Sequence, residues 1–450
     1  MTKDKKIGLL PIIILAFGIV IRLIYVNYFG VESYKNYADY SVFQYTHDSL
    51  YHIEYIQFVA NHLSLPATEK GLEYPQQPLY YIFSGLFYHC IETLSLSKTA
   101  ILKIITWFSA FFSIGTLIFT YFCAKKITDS VWVQSFIVGL MAFTPAFVYQ
   151  SGMIGNDPLC AFLSAGAFFF LISYIKEPHH EDKKSFKNFI LATCLAVLSF
   201  FTKASAGILL IMILLVCIYK YSQKNNPAVL KMIFSVLLIG FLCINISFYR
   251  AYIPSTGEFR FVESYTYEYQ KTDPSHLSYF LTFNFPDLLK EGQSYVFGNK
   301  NVARTLPTFL YGSFIFGEYN FTNITTPYPF VKILMQFILL LGLLFPIGII
   351  ANLFFIKKWN AVEYISAFGI FASLILLISF LLKYSSVCNS DFRYFSPIFL
   401  GFLIISGLGL YRLNEKLKIK FILPTLAFIL ISSELFWIVT RITIRIFTNV

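Results

Sequence analysis

Asp48 and His52 stand four residues apart in QYTHDSLYHIEYIQF, and Asn156-Asp157, Lys203 and Arg393-Tyr394 follow far down the chain. On a helix the i,i+4 spacing puts Asp48 and His52 on one face. A carboxylate there can act as a general base, or it can cap a helix or sit solvated. His47, Asp48 and His52 could also ligate a metal, but no further fixed ligand stands nearby to complete the usual set. Asn156 and Asp157, with Pro158 next, read as a helix start, and Asp157 is also a second carboxylate. Lys203 lies in FFTKASAGILL between two apolar runs, where it either snorkels or offers a point charge to a phosphate. Arg393, in CNSDFRYFSPIF, suits bidentate phosphate binding or a local pair with Asp391 of little energy. In YPQQPLYYIF (74–83), Pro75 and Pro78 set an extended turn before a helix, and Tyr80 and Tyr81 read as interface anchors. Arg22 and Glu434 fall inside apolar runs, where a charge is costly unless paired or facing a cavity; the two could pair with each other.

The elements that position these residues must be membrane helices. Of 450 residues, 57% are hydrophobic, and 51 Phe, 31 Tyr and 4 Trp make the chain 19% aromatic. Charged residues are 13%, about half the usual share. A soluble fold has too little interior for this much apolar side chain, so disordered, disulfide-rich and ordinary soluble classes are excluded. The net charge of +11 fits cytoplasmic lysines better than a nucleic-acid partner. The seven cysteines include no CxxC, which excludes a zinc ribbon. A basic start followed by a long apolar stretch without a small-residue cleavage site predicts an uncleaved first span.

Apolar runs near 7–28, 101–124, 131–150, 158–175, 188–202, 206–220, 228–249, 328–356, 361–382, 394–411 and 420–440 predict eleven spans. The segment 79–95 is apolar but holds His89 and Glu92. If it lies on the outer surface, the predicted inner segments carry 18 Lys and Arg, and the outer loop 30–78 carries only Lys35 and Lys70. If it spans, KEPHHEDKKSFK turns outward, against the positive-inside rule. The expectation is therefore an all-α polytopic protein with a cytoplasmic N-terminus and outer interfacial helices. Arg441 and Arg445 then sit against the rule, at the outer end. Three regions follow: 1–250 with the outer loop 29–78, an outer loop 251–327 rich in turn signals, and C-terminal spans 328–450.

Asp48, QQPLYY (76–81), Asn156-Asp157, Thr202-Lys203 and Arg393-Tyr394, in that order and all predicted outside, resemble the GT-C superfamily of membrane glycosyltransferases. The nearest branches in pattern are the protein O-mannosyltransferases and the lipid A aminoarabinose transferases. The resemblance covers roughly 7–220 and the region near 390–400. The family's Asp-Glu pair is Asp48-Ser49 here, and its Pro-Pro is Gln77-Pro78. It implies a GT-C fold and a donor sugar carried on a polyprenyl phosphate. Transfer would pass to a glycan, glycolipid, lipid A or protein on the extracytoplasmic face of the cell membrane, with inversion. It implies Asp48 and Asp157 as catalytic carboxylates and Lys203 and Arg393 as holders of the donor phosphate. His52, Gln77, Tyr80, Tyr81 and Tyr394 would shape the sugar and acceptor pocket. No metal ligand is assigned, since Lys203 and Arg393 can serve the phosphate, although the resemblance leaves room for a divalent ion. Three rivals predict otherwise, one of them a polymerase or ligase using a polyprenyl-diphosphate oligosaccharide, which would want more outer arginines than Arg250, Arg260, Arg304 and Arg393, with Arg441 and Arg445 at the tail. A lipid-linked sugar flippase would use Arg22 and Glu434 for coupling and move substrate without covalent product. A noncatalytic membrane subunit of the same fold would tolerate loss of Asp48.

Overall fold

The structure, a computed structural model, describes residues 8–29, 49–177, 183–224, 227–261, 272–291, 305–317, 325–355, 359–419 and 421–448. Asp48 and His47 lie outside the described residues. The described chain is helical apart from one short antiparallel ladder, β1 (Tyr252–Ile253) with β2 (Glu258–Phe259). In chain order the first ten helices are α1 (Leu9–Phe29), α2 (Ser49–His62), α3 (Leu79–Glu92), α4 (Lys98–Ile127), α5 (Val131–Phe143), α6 (Pro145–Tyr149), α7 (Asp157–Lys176), α8 (Lys183–Phe200), α9 (Gly207–Lys224) and α10 (Pro227–Ala251). Then come α11 (Leu277–Leu281), α12 (Phe285–Glu291), α13 (Leu306–Phe316), α14 (Pro329–Gly342), α15 (Leu344–Phe354), α16 (Ala361–Lys383), α17 (Phe399–Leu417) and α18 (Ile422–Thr448).

Local chemistry sets several boundaries. The Ser97 hydroxyl accepts from Ala100 N at 3.2 Å and opens α4. Asn360 and Glu363 form a reciprocal capping box at the start of α16, with bonds of 3.0 and 3.1 Å, satisfying donors that a helix start leaves open. Gly317, at φ 68°, ends α13 in a backbone region that costs other residues strain.

Among the described residues, nine helices are long and apolar enough to cross a membrane, and ten if α5 and the bent segment Pro145–Gly152 form one span. The expected eleven are therefore not reached. The run read at 188–202 belongs to α8, whose first turns carry Lys183, Lys184 and Lys187 and lower its apolar character. The segment 251–327 is also more than a loop. It holds α13, with Phe314, Ile315 and Phe316 buried in the main core, and Phe314 stacks on Phe345 at 3.9 Å.

Two ends are distinguishable. At one, Lys176 donates to the Lys126 carbonyl, Lys184 pairs with Glu177 at 2.7 Å, and Lys220 donates to the Tyr174 carbonyl at 2.5 Å. At the other lie Asp157, Lys203 and Arg393. The hairpin α2–α3 stays at this second end, packing Tyr80, Tyr81 and Ile91 with Ile101 and Ile154 in a satellite core. Its 14-residue α3 is about 21 Å long at 1.5 Å per residue, short of a hydrocarbon thickness of about 30 Å.

The pairing of Arg22 with Glu434 that the sequence allowed does not occur. Arg22 donates to Ser113 Oγ (2.7 Å) and to the carbonyls of Gly18 (3.1 Å), Ala142 (2.8 Å) and Met141 (2.6 Å). Glu434 accepts from the Thr144 hydroxyl at 3.1 Å. Arg22 thus serves carbonyls at the end of α5, and Glu434 the hydroxyl of Thr144 at the break between α5 and α6.

Candidate active site

Asp157 opens α7, Lys203 follows the end of α8, and Arg393 lies in the 3₁₀ turn Phe392–Ile398 before α17. These helix ends meet at one place. Asp157 Oδ1 accepts from Lys203 Nζ in an ion pair whose side chains are 13% and 15% exposed. Arg393 and His52 act on the same carboxylate electrostatically. Tyr394 lies beneath both cations, with Lys203 Nζ 5.0 Å and the Arg393 guanidinium 5.7 Å from the ring centre. A shallow depression opens here, lined by Asp157, Asp391 and Arg393 with Gln150, Met153 and Ser313 among its walls.

The neighbouring turns hold these groups in register. Asn156 does not cap its own helix, as the sequence reading allowed. Its amide instead donates to Gln76 Oε1 and to the Thr202 carbonyl, the latter at 3.1 Å. It thereby ties the residue before Asp157 to the residue before Lys203. The amide of Leu79 donates to the Phe201 carbonyl at 2.8 Å, so the start of α3 docks on the end of α8. Asp391 Oδ1 accepts from the Arg393 backbone N–H at 2.6 Å. That makes it a local cap which also faces the depression. Tyr279 and Ser390 hydroxyls meet at 2.8 Å, and Phe392 N donates to Ser313 Oγ at 2.9 Å. The middle segment is therefore built into the site wall.

His52 is buried, its Nδ1 2.7 Å from the Tyr81 hydroxyl. A Cβ on Gly155 would meet the His52 ring at 3.3 Å, so glycine lets the 153–157 turn pass close to it. Tyr81 stacks on Tyr55 at 3.8 Å. Burial, with Glu73 nearby, holds the Tyr81 phenol well above its ordinary pKa, and burial pushes Tyr55 up to about 12. Both phenols remain neutral at physiological pH.

The structure brings Asp157, Lys203, Arg393 and Tyr394 together, with His52 and Tyr81 behind them. It places Tyr80 fully inside the satellite core. Gln77 turns away to donate to Ser247 Oγ on α10 at 3.0 Å, and Gln76 is the glutamine that meets Asn156. The pocket walls Asp391, Gln150 and Ser313 were missed in the sequence. Only Asp391 carried a signal, two residues before Arg393. Ser49, next to Asp48, donates to the Ile154 carbonyl at 3.1 Å, three residues before Asp157. Among the described residues no group of three or more His, Cys, Asp and Glu gathers to hold a metal.

The architecture, helix ends converging on a charged depression beneath a polytopic bundle, defines a GT-C membrane protein. The chain is similar in fold to the oligosaccharyltransferase of Archaeoglobus fulgidus. Against its complex with zinc and sulfate the TM-score is 0.51 at 12% identity, covering 95% of this chain and 53% of that one. Against its apo form the values are 0.51, 12%, 96% and 56%. The chain thus spans about half the length of that enzyme. ArnT of Cupriavidus metallidurans bound to undecaprenyl phosphate is more distant, with a TM-score of 0.41 at 13% identity over 90% of this chain and 77% of that one. No curated protein sequence matches the chain. The profile of the dolichyl-phosphate-mannose-protein mannosyltransferase family matches residues 12–252, and the chain belongs to that family.

Proposed function

We propose that the protein transfers a sugar from a polyprenyl-phosphate donor to an acceptor at the mouth of this depression, on the extracytoplasmic face. The observation that carries the reading is that Asp157, paired with Lys203, lines the same depression as Arg393. Two cations act on one carboxylate where helix ends converge, an arrangement suited to a lipid phosphate. The family's description names a prenyl-phosphate sugar as donor, which supports the same chemistry.

In the proposed reaction Lys203 and Arg393 bind the donor phosphate and offset the charge that grows on it as the bond to the anomeric carbon breaks. The acceptor hydroxyl attacks that carbon from the opposite face. Its proton passes to a carboxylate, and the polyprenyl phosphate leaves with the bonding electron pair. We assign the base to Asp48, whose neighbour Ser49 donates to the Ile154 carbonyl. Asp157 orients the acceptor once phosphate draws Lys203 away. Region 1–250 would carry the catalytic machinery, 251–327 would cover the site and select the acceptor, and 328–450 would complete the bundle. The sugar is a hexose or a pentose, and the acceptor a glycan, glycolipid, lipid A or protein.

The test is transfer in membranes from labelled polyprenyl-phosphate sugars, comparing the wild type with Asp48→Asn and Asp157→Asn. Loss of a general base costs about 10²- to 10⁴-fold, with both variants still folded. Undiminished transfer by both would overturn the assignment of carboxylate chemistry to this pocket.

A further inference from the structure

We infer that Arg22 stands in for the amide hydrogen that Pro145 lacks, and thereby holds the broken span at the angle that places its outer half on the pocket wall. The break lies between α5 and Pro145–Gly152, which meet at 52°. In an unbroken helix the amide of residue 145 would bond the carbonyl of residue 141, and that of 146 the carbonyl of 142. Proline has no such hydrogen. The last bond of α5 runs from Thr144 N to the Leu140 carbonyl at 3.0 Å, and the next turn restarts on the Thr144 carbonyl, which accepts from Phe147 N at 3.0 Å. Three carbonyls lose their helical partner, that of Phe143 and those of the pair Met141 and Ala142. The Arg22 guanidinium reaches both, at 2.6 and 2.8 Å.

Several features show that this contact is built. Arg22 is fully buried. Its Nε is fixed by Ser113 Oγ on α4 at 2.7 Å. A Cβ on Gly18, one turn earlier, would meet the Ala142 Cβ at 2.8 Å, so glycine lets α1 approach α5 closely enough for the guanidinium to reach. Within the membrane no water satisfies an orphan carbonyl, and a cation is favoured at a helix C-terminus. On the far side, Trp437 Nε1 donates to the Tyr149 hydroxyl at 2.6 Å and Thr144 to Glu434, so α18 holds the tilted half. That half supplies Ala146, Phe147 and Gln150 to the depression beside Asp157 and Arg393. Arg22 is a positioning residue for the pocket, and this part of the inference rests on the transfer reading above.

The experiment is a cycle of Arg22→Met, Pro145→Ala and the double variant in lipid nanodiscs. Unfolding midpoint, transfer kinetics and the bend angle from a structure of the double variant are the readouts. Arg22→Met should lower the midpoint, and adding Pro145→Ala should recover at least half of that loss, because alanine returns an amide to the Met141 carbonyl. The recovered variant should have a straighter span and a kcat/KM lower by about 10²-fold, the scale of an ångström-level misplacement. Additive losses in midpoint, a silent Arg22→Met, or failure of both variants to fold would overturn the substitution of guanidinium for amide. An unchanged 52° bend in the double variant would overturn the positioning role. Should the wild type transfer no offered sugar, the transfer reading falls, and the midpoint cycle and the bend angle still decide the role of Arg22.

Discussion

Lys203 is held by Asp157, and a phosphate entering beside Arg393 would compete for the same ammonium. Lys203→Met removes a charge-assisted contact of about 1.5–3 kcal/mol. The donor KM should rise about 10- to 10²-fold, and the unfolding midpoint should fall because the Asp157 carboxylate keeps its burial and loses its nearest cation. The double variant Lys203→Met/Asp157→Asn should recover the midpoint but not transfer. A donor KM unaltered by Lys203→Met would remove Lys203 from the phosphate site. Tyr55 and Tyr81 make a second expectation. The unfolded chain releases phenol protons near pH 10, while folded Tyr55 holds its proton to about 12 and Tyr81 is also raised. The unfolded state therefore binds fewer protons above pH 10, and stability falls as pH climbs from there, by about 1.4 kcal/mol per pH unit for each group. Thermal unfolding at pH 8 to 11.5 should show that decline, and a double Tyr→Phe variant at 55 and 81 should flatten it. Asp157, Lys203 and Arg393 were legible in the sequence because a charge at the edge of an apolar run is rarely idle. Gln76 and Gln77 were not separable, since their opposite directions come from the turn at Pro75 and Pro78 and its docking on α8 and α10.

Helix contacts in this bundle depend on small residues where backbones approach. The crossing of α15 and α17 is the tightest: a Cβ on Gly409 would overlap the Gly348 carbonyl oxygen, a backbone atom that cannot swing away. Gly409→Ala should cost at least about 3 kcal/mol, at or above the usual overpacking range. Gly240→Ala, on α10 with nothing within 4 Å of the added Cβ, should be neutral or stabilise by up to about 1 kcal/mol through helix propensity. Parallel thermal unfolding of the two variants in detergent checks this, and equal midpoints would refute the crossing. At this scale the sequence was informative about length and poor about contacts. Ten of the eleven apolar runs correspond to helices that pass as spans or as a bent span, because a stretch of about 20 apolar residues has few other homes. The 11-residue α13 escaped, being half a span long and flanked by Gly, Asn and Pro that read as loop. The break at Thr144-Pro145 was hidden inside one continuous apolar run, where only the proline marked it.

The whole molecule is polarised. Lys125, Lys126, Lys176, Lys184 and Lys220 gather at the end opposite the pocket, with contacts among the last turns of α4 and α7 and the first of α8. The two arginines that break the bias, Arg441 and Arg445, are held by protein at the pocket end. Arg441 is 5% exposed with its guanidinium 5.5 Å from the Phe29 ring, and Arg445 donates to the Tyr28 carbonyl at 3.4 Å. The orientation follows the overall Lys/Arg excess, and the five lysines outnumber these two arginines. The lysine-rich end should therefore face the cytoplasm, with the pocket outside. In a cysteine-free background, Ser64→Cys after α2 should react with a membrane-impermeant maleimide added to intact cells. Lys125→Cys should react only after permeabilisation. The reverse pattern would turn the molecule over, put Asp157 and Arg393 on the cytoplasmic side, and require a donor lipid whose sugar is still presented there.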